Sequence, residues 1–253
     1  VHAVHRLHRH RGAVAGGRDG GAAAEEGTVT PYYDDGKGIM IWRGNCCDVL
    51  PQVVGAFAAL LTDPPYGIVN RFGIQDGAPG NGMRRLEFDW DSPEITSVVL
   101  AGLKAALELV IPTGSMFVFC GGDQFGAILE LVRAHGFTAK PACWVKECPP
   151  PAAPGNWWPS GFELAVYGYR TGAWFGDGDP KRSNVFFADS LRYGQPGKNG
   201  HPTQKPLGLI KRLVGAIAQP HAMLLDPFMG SGTTLVAAKQ LGRRAIGIEI
   251  EER

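Results

Sequence analysis

The chain has 253 residues, 44% of them hydrophobic, with 36 glycines and a formal net charge of +1 at pH 7. That length suits one sizeable domain with a real core, and the near-neutral balance excludes a global field for a polyanion, so any nucleic-acid footprint must be local. Five cysteines (Cys46, Cys47, Cys120, Cys143, Cys148) lack paired zinc-type spacing and no apolar run reaches membrane-spanning length, so structural thiols in a cytoplasmic, signal-free protein are expected.

Residues 1–28 differ from the rest: His2, His5, His8 and His10 alternate with Arg6, Arg9 and Arg11, followed by Gly and Ala. A metal-binding tract and a basic arm are both conceivable, but the segment has little to bury and reads as a disordered tail without function. The chain begins with Val rather than Met, which fits a fragment or an unusual start. A catalytic domain is expected over 29–253.

A short strand is predicted over Gly38–Arg43, then a short helix after Gly44-Asn45, then an apolar run, Val53–Leu61, ending at Asp63-Pro-Pro-Tyr66. Two prolines remove two amide donors and hold the corner extended. That corner offers an acid, a carbonyl and an aromatic ring in one place, although a Pro-rich turn alone would account for it. Residues 67–91 are Gly-rich and irregular, with Arg71, Arg84, Arg85, Phe88 and Trp90, the composition of a mobile loop. Ser92-Pro93-Glu94 forms a helix start, and the helix is expected to reach Val110. Strands are predicted at 115–120, 142–146, 162–169 and 184–187, and a helix at 123–135 closed by Gly136. Pro149–Pro159 holds five prolines with Trp157 and Trp158 and cannot be regular. A helix over 207–217, a strand over 222–225, a helix over 232–241 and a strand over 245–250 complete the chain. Strands alternating with helices imply an α/β fold, largely parallel, with helices on both faces.

The strongest signal is the strand–Asp226-Pro-Phe-Met-Gly-Ser-Gly-Thr-Thr234–helix unit. Gly230 and Gly232 permit a tight turn and close backbone approach, and the helix they open favours an anionic group. Glu249 follows Gly230 by 19 residues at the end of the next strand, where an acid can hold ribose hydroxyls. A P-loop is excluded because no Lys precedes the Thr pair, and Gly-x-Gly-x-x-Gly is absent, which counts against a dinucleotide dehydrogenase. An adenosine-bearing ligand with a carboxylate remains.

Asp63-Pro-Pro-Tyr66, His201-Pro-Thr-Gln-Lys-Pro206, Asp226–Thr234 and Gly247-Ile-Glu249 together resemble the amino-methyltransferases of DNA. Their order, tetrapeptide before cofactor loop, is similar to the permuted β group of adenine-N6 and cytosine-N4 enzymes, over residues 30–253. The resemblance implies a Rossmann-like class I methyltransferase fold with a seven-stranded sheet, and S-adenosyl-L-methionine as cofactor. It implies that Asp226, Pro227, Phe228, Gly230, Ser231, Gly232, Thr233 and Thr234 cradle the methionine part and Glu249 the ribose. His201, Thr203 and Lys205 would lie in the cofactor site, with Thr203 and Lys205 on the methionine carboxylate. Asn45 and Cys46 would lie near the adenine, Asn45 standing where relatives usually carry Asp and accepting through its carbonyl. Relatives continue with a further helix, whereas this chain stops at Arg253, so exposed apolar surface is expected there.

The resemblance gives the catalytic residues as Asp63, Pro64, Pro65 and Tyr66. Asp63, itself adjoining the cofactor, and the Pro64 carbonyl would accept the two hydrogens of an exocyclic amine, with Tyr66 stacked on the base. Double-stranded DNA is the implied partner, with the target nucleotide flipped out. Arg84, Arg85, Lys181, Arg182, Arg192 and Lys198 are candidate phosphate contacts, the last four bordering a small target-recognition segment at about 171–200. Trp157, Trp158 and Phe88 could stack on bases or wedge the duplex. No cysteine follows a proline as a cytosine-C5 nucleophile would. Adenine-N6 is preferred over cytosine-N4 because Asp at the first tetrapeptide position is commoner among adenine enzymes. An inactive DNA-binding remnant is the rival of a different class. A cognate restriction endonuclease and a homodimer complete the expectations; no metal is expected.

Overall fold

The computed structural model describes residues 30–67, 95–148, 160–176, 183–190 and 204–251. The tail over 1–28, the loop over 68–91 and the prolines of 149–159 lie outside the described residues, as does much of the segment over 171–200.

One sheet of nine strands carries the described residues: β1 (Tyr33–Asp34), β2 (Ile39–Arg43), β3 (Phe57–Thr62), β4 (Val110–Cys120), β5 (Thr138–Val145), β6 (Phe162–Tyr169), β7 (Val185–Phe187), β8 (Met223–Asp226) and β9 (Arg244–Glu249). The spatial order is β1-β2-β9-β8-β3-β4-β6-β5-β7. Seven strands were expected. The two extra ones are short edges, a two-residue β1 antiparallel to β2 and a three-residue β7 parallel to β5. The neighbours from β2 to β4 run parallel, whereas β6 is antiparallel to both β4 and β5.

Among the described residues five α-helices cover the faces: α1 (Cys46–Val49), α2 (Ile95–Glu108), α3 (Gly122–Ala134), α4 (Leu207–Ile217) and α5 (Thr233–Gln240). In α2 the buried residues Val99, Gly102, Leu103, Ala106 and Leu107 recur at helical spacing, so one stripe faces the sheet. α4 does the same with Leu209, Ile210, Leu213, Val214 and Ile217. Alternation along the strands feeds two cores. Phe57 and Leu60 of β3, with Met116 and Val118 of β4, meet α1, α2 and α3. Ala59 and Leu61, with Phe117 and Phe119, meet α4 and α5 on the other face.

The helix expected to reach Val110 stops at Glu108, and β4 begins at Val110, five residues earlier than the predicted strand. Pairing of Val110 with Phe57 draws Pro112 and Gly114 into the strand although neither favours one. Ladder hydrogen bonding outweighs local propensity here.

The arrangement sets up one working edge. β3 and β8 are adjacent and parallel, so Asp63 and Asp226 emerge side by side from their carboxyl ends. The chain departs from β3 toward β4 on one side, while β8 arrives on the other from late in the sequence. Such a crevice is where open α/β sheets bind ligands.

Candidate functional site

The tetrapeptide is held from three directions. The side chain of Gln124, fully buried on α3, donates from Nε2 to the Pro65 carbonyl at 2.9 Å and accepts from the Gly121 N–H at 3.3 Å. Gly121 has no Cβ for good reason, since one placed there would meet Tyr66 Cβ at 3.2 Å. The Thr62 hydroxyl donates to Asp226 Oδ1 at 2.6 Å, tying the corner to the start of the glycine loop. Two segments 164 residues apart are thereby joined.

Beyond the corner lies a charged cluster. Tyr66 donates its hydroxyl to Asp63 Oδ1 at 2.7 Å, and Glu163 Oε2 stands 3.2 Å from the same hydroxyl. Lys205 donates to Asp63 Oδ2 and lies 3.0 Å from Glu163 Oε2. Lys146 neutralises the other Glu163 oxygen at 3.0 Å. Burial pulls the Lys205 ammonium down, but the carboxylates of Asp63 and Glu163 outweigh it and hold its pKa above the ordinary lysine value. Burial also acts to raise the Glu163 carboxyl, yet Lys205 and Lys146 prevail and it lies below the usual range. Asp63 is pushed up by burial and by the neighbouring Glu163 charge, against the pull of Lys205. A quarter of its side chain is open to solvent, which limits that penalty. Burial first, then the nearby carboxylates, push the Tyr66 phenol well above its ordinary value, so it stays a donor.

The glycine loop after β8 is built on backbone. Gly230 and Gly232 have φ of 51° and 74°, left-handed values that side chains resist. A Cβ built on Gly232 meets nothing within 4 Å, so the loop fronts open space at the head of α5. Met229 N–H bonds the Ile248 carbonyl at 3.0 Å, and Gly230 N–H bonds Glu249 Oε2 at 2.7 Å. Ser231 and Thr233 hydroxyls pair at 2.8 Å. Thr234 is buried beside Asp226, and Pro227 is buried behind the loop. Phe228 is half-buried against the first core, on Gly102 of α2. Burial raises Asp226 to about 7 against hydrogen bonds from Thr62, Thr234 and the Phe228 N–H. Burial likewise raises Glu249.

Three residues expected at the cofactor have protein partners of their own in the structure. Lys205, expected on the methionine carboxylate, is 6% exposed, and its ammonium is paired with Asp63 and Glu163. Asn45, expected near the adenine, caps α1, its Oδ1 accepting from Cys47 N–H at 2.9 Å. Cys46 points into the first core beside α2, its thiol pushed by burial up to about 12. Glu163, Lys146, Gln124 and Thr62 were not singled out from the sequence. An acid inside the apolar alternation of β6 was the available signal for Glu163. His201, Thr203, Arg84, Arg85, Lys181, Arg182, Arg192 and Lys198 lie outside the described residues, as do Trp157, Trp158 and Phe88. Among the described residues no group of three His, Cys, Asp or Glu could hold a metal, and no helix is long and apolar enough to cross a membrane.

Comparisons with known proteins agree with this geometry. A family model described as DNA methylase, of the N6/N4 type, matches residues 169–253. The putative methylase YubD of Escherichia coli (strain K12) is 41% identical over 214 residues, covering 83% of this chain and 84% of that protein. The chain belongs to the N6/N4 DNA methyltransferase family. The Type II methyltransferase M2.MboI of Moraxella bovis is 25% identical over 238 residues, 88% of this chain and 87% of its own length. Among solved structures, the crystal structure of the M1.HpyAVI–SAM complex superposes with a TM-score of 0.64 at 26% identity, covering 84% of this chain and 93% of that one. The fold is thus that of class I methyltransferases, with β1 and β7 as the edge additions.

Proposed function

We propose that this protein transfers a methyl group from S-adenosylmethionine to the exocyclic amine of a flipped base in duplex DNA, adenine-N6 before cytosine-N4. The observation that carries the reading is the Thr62–Asp226 bond, which sets Asp63, one residue on, against the head of the glycine loop. An amine acceptor and a methyl-donor site then share one crevice.

The residues present fit that cofactor. Gly230 and Gly232 give a tight left-handed turn, open at Gly232, the Phe228 ring gives an apolar wall, and Glu249 gives an acid for vicinal hydroxyls. When bound, the cofactor supplies a sulfonium-activated methyl whose sulfur leaves as a neutral thioether. Asp63 and the Pro64 carbonyl each accept one hydrogen of the amine, drawing its lone pair out of conjugation and toward the methyl. A C–N bond forms as the C–S bond breaks, and the nitrogen becomes cationic. Asp63 stabilises that charge in a largely dry site and is the nearest acceptor for the surplus proton. Tyr66, anchored through its hydroxyl, is the ring nearest the base. Asp63 and the Pro64 carbonyl would serve either amine, so the adenine preference rests on family association alone.

Purified protein with methyl-labelled cofactor and duplex DNA of mixed sequence tests the reading. Label is expected in DNA, recovered after nucleoside digestion as N6-methyladenine, and Asp63→Ala should abolish it. Label in N4-methylcytosine would transfer the proposal to that base; DNA binding with no label at all would leave the inactive-remnant reading. The proposal extends to a cognate restriction endonuclease and a homodimer, checked by co-expression protection and by sedimentation.

A further inference from the structure

Glu163 occupies an unusual place for an acid. β6 is antiparallel to β4 and β5, so its first residues arrive beside the carboxyl ends of those strands. Leu164 pairs with Cys120, and Glu163 with Trp144. The Glu163 side chain is 17% exposed and Lys205 only 7%. Two carboxylates and two ammonium groups balance in the cluster, with Tyr66 bridging Asp63 and Glu163.

This geometry poses a problem for Asp63. Its Oδ1 already receives the Tyr66 hydroxyl and its Oδ2 the Lys205 ammonium. An amine arriving at Oδ2 meets the Lys205 ammonium already bound there. Around Lys205 the walls are aromatic, with its Nζ 5.0 Å from the Phe119 ring centroid and 5.5 Å from that of Tyr66. An ammonium displaced from Asp63 with no second anion would be stranded as an unpaired buried charge. Glu163 is that second anion and already touches it. Lys146, on the far Glu163 oxygen, keeps Glu163 ionised and in place.

We propose that Glu163 is a positioning residue for methyl transfer, holding Lys205 while Asp63 exchanges that lysine for the amine of the target base. The inference rests on Asp63 being the amine acceptor. Lys205 is then a removable occupant of the amine site: it pairs with Asp63 in the free protein and steps aside, onto Glu163, when a base arrives.

Two measurements test it. In the free protein labelled with ¹⁵N-lysine, Lys205 should give a slowly exchanging ammonium signal, assigned by its loss in Lys205→Met. That signal should persist in Asp63→Asn, where Glu163 still holds the lysine, and vanish in Asp63→Asn/Glu163→Gln. Its loss in Asp63→Asn alone would overturn the proposal; if that variant does not fold, Asp63→Ser carries the same comparison. With the active protein, Glu163→Gln should lower the single-turnover rate at saturating DNA by about tenfold or more, with dissociation constants for cofactor and DNA within about twofold of wild type. Glu163→Asp should recover part of the rate. An unchanged rate, or a loss of cofactor affinity in parallel with it, would also overturn the assignment. The ammonium signal needs no methyl transfer, so a protein that transfers no label would sink the functional reading and leave this one to its own measurement.

Discussion

Thr62 donates its hydroxyl to Asp226 at 2.6 Å, and that bond sits between the end of β3 and the end of β8 with both partners buried. It couples Asp226, at the start of the glycine loop, to the residue preceding Asp63, the proposed catalytic acid. It also explains how a carboxyl with 2% exposure is tolerated, since Phe228 N–H lies 3.3 Å from the same oxygen.

That burial has a consequence for pH. The native Asp226 pKa is about 7 against 3.8 for an ordinary Asp, so between these values the folded protein holds a proton that the unfolded chain releases. Stability from this group is full below the ordinary value and is lost as pH rises through about 7. Asp226→Asn keeps an acceptor for Thr62 and removes the titration. We predict that its stability relative to wild type improves from pH 4 to pH 8, by up to roughly 4 kcal/mol at ~1.4 kcal/mol per pH unit. Urea denaturation across that range measures it, and a difference that does not change with pH would refute the burial argument.

Gln124 is the next point of leverage. Replacing it with Leu removes the bonds to the Pro65 carbonyl and the Gly121 N–H inside a closed core. The expected loss is about 2 kcal/mol of stability, at ~1 kcal/mol per hydrogen bond. Because the Pro-Pro corner is then free to shift against the cofactor loop, kcat should fall further than the stability loss explains. Cofactor affinity should hold, because Gln124 touches none of the loop. Calorimetric titration beside steady-state kinetics separates the two.

How far the sequence carried depends on whether an element was specified locally. The helix over Leu207–Ile217 and the strand over Phe162–Tyr169 were read with their observed bounds, because an amphipathic stripe and an apolar run between polar flanks each announce themselves. The motifs at Asp63 and Asp226 were legible, and so was the acid of Glu249 at the end of the next strand. What lay beyond reach was pairing. Val110 becomes strand because Phe57 lies opposite, and Lys205 turns to Asp63 because Glu163, from a strand running the other way, arrives beside it. Asn45, read through its missing charge, is accounted for by the α1 amide that it caps.

Gly102 offers a test of the apolar wall. A Cβ there would meet Cys46 Sγ at 2.6 Å and Phe228 Cζ at 3.0 Å. The Cys46 sulfur is boxed into the core, so the ring is the neighbour with room to yield. Gly102→Ala should cost about 1–3 kcal/mol in overpacking, offset in part by a better helix former. Displacement of Phe228 should weaken cofactor binding while leaving DNA affinity unaltered. If cofactor affinity stays at the wild-type value, Phe228 is not part of the pocket.

Glu249 carries two duties that substitution can separate. One is structural: Oε2 accepts from Gly230 N–H at 2.7 Å and Oε1 from Glu251 N–H at 3.1 Å, pinning the loop to the end of β9. The other is the proposed grip on ribose hydroxyls, for which an anionic acceptor is stronger than a neutral one. Glu249→Gln retains an oxygen for Gly230 but loses the charge. It should keep the stability of the fold and weaken cofactor binding by about tenfold or more, a hydrogen bond to a charged group being worth ~1.5–3 kcal/mol. Glu249→Ala loses both duties, so its melting temperature should drop as well. If the Gln variant binds cofactor as tightly as wild type while the Ala variant does not, the acid serves the loop and not the ligand, and the ribose assignment falls.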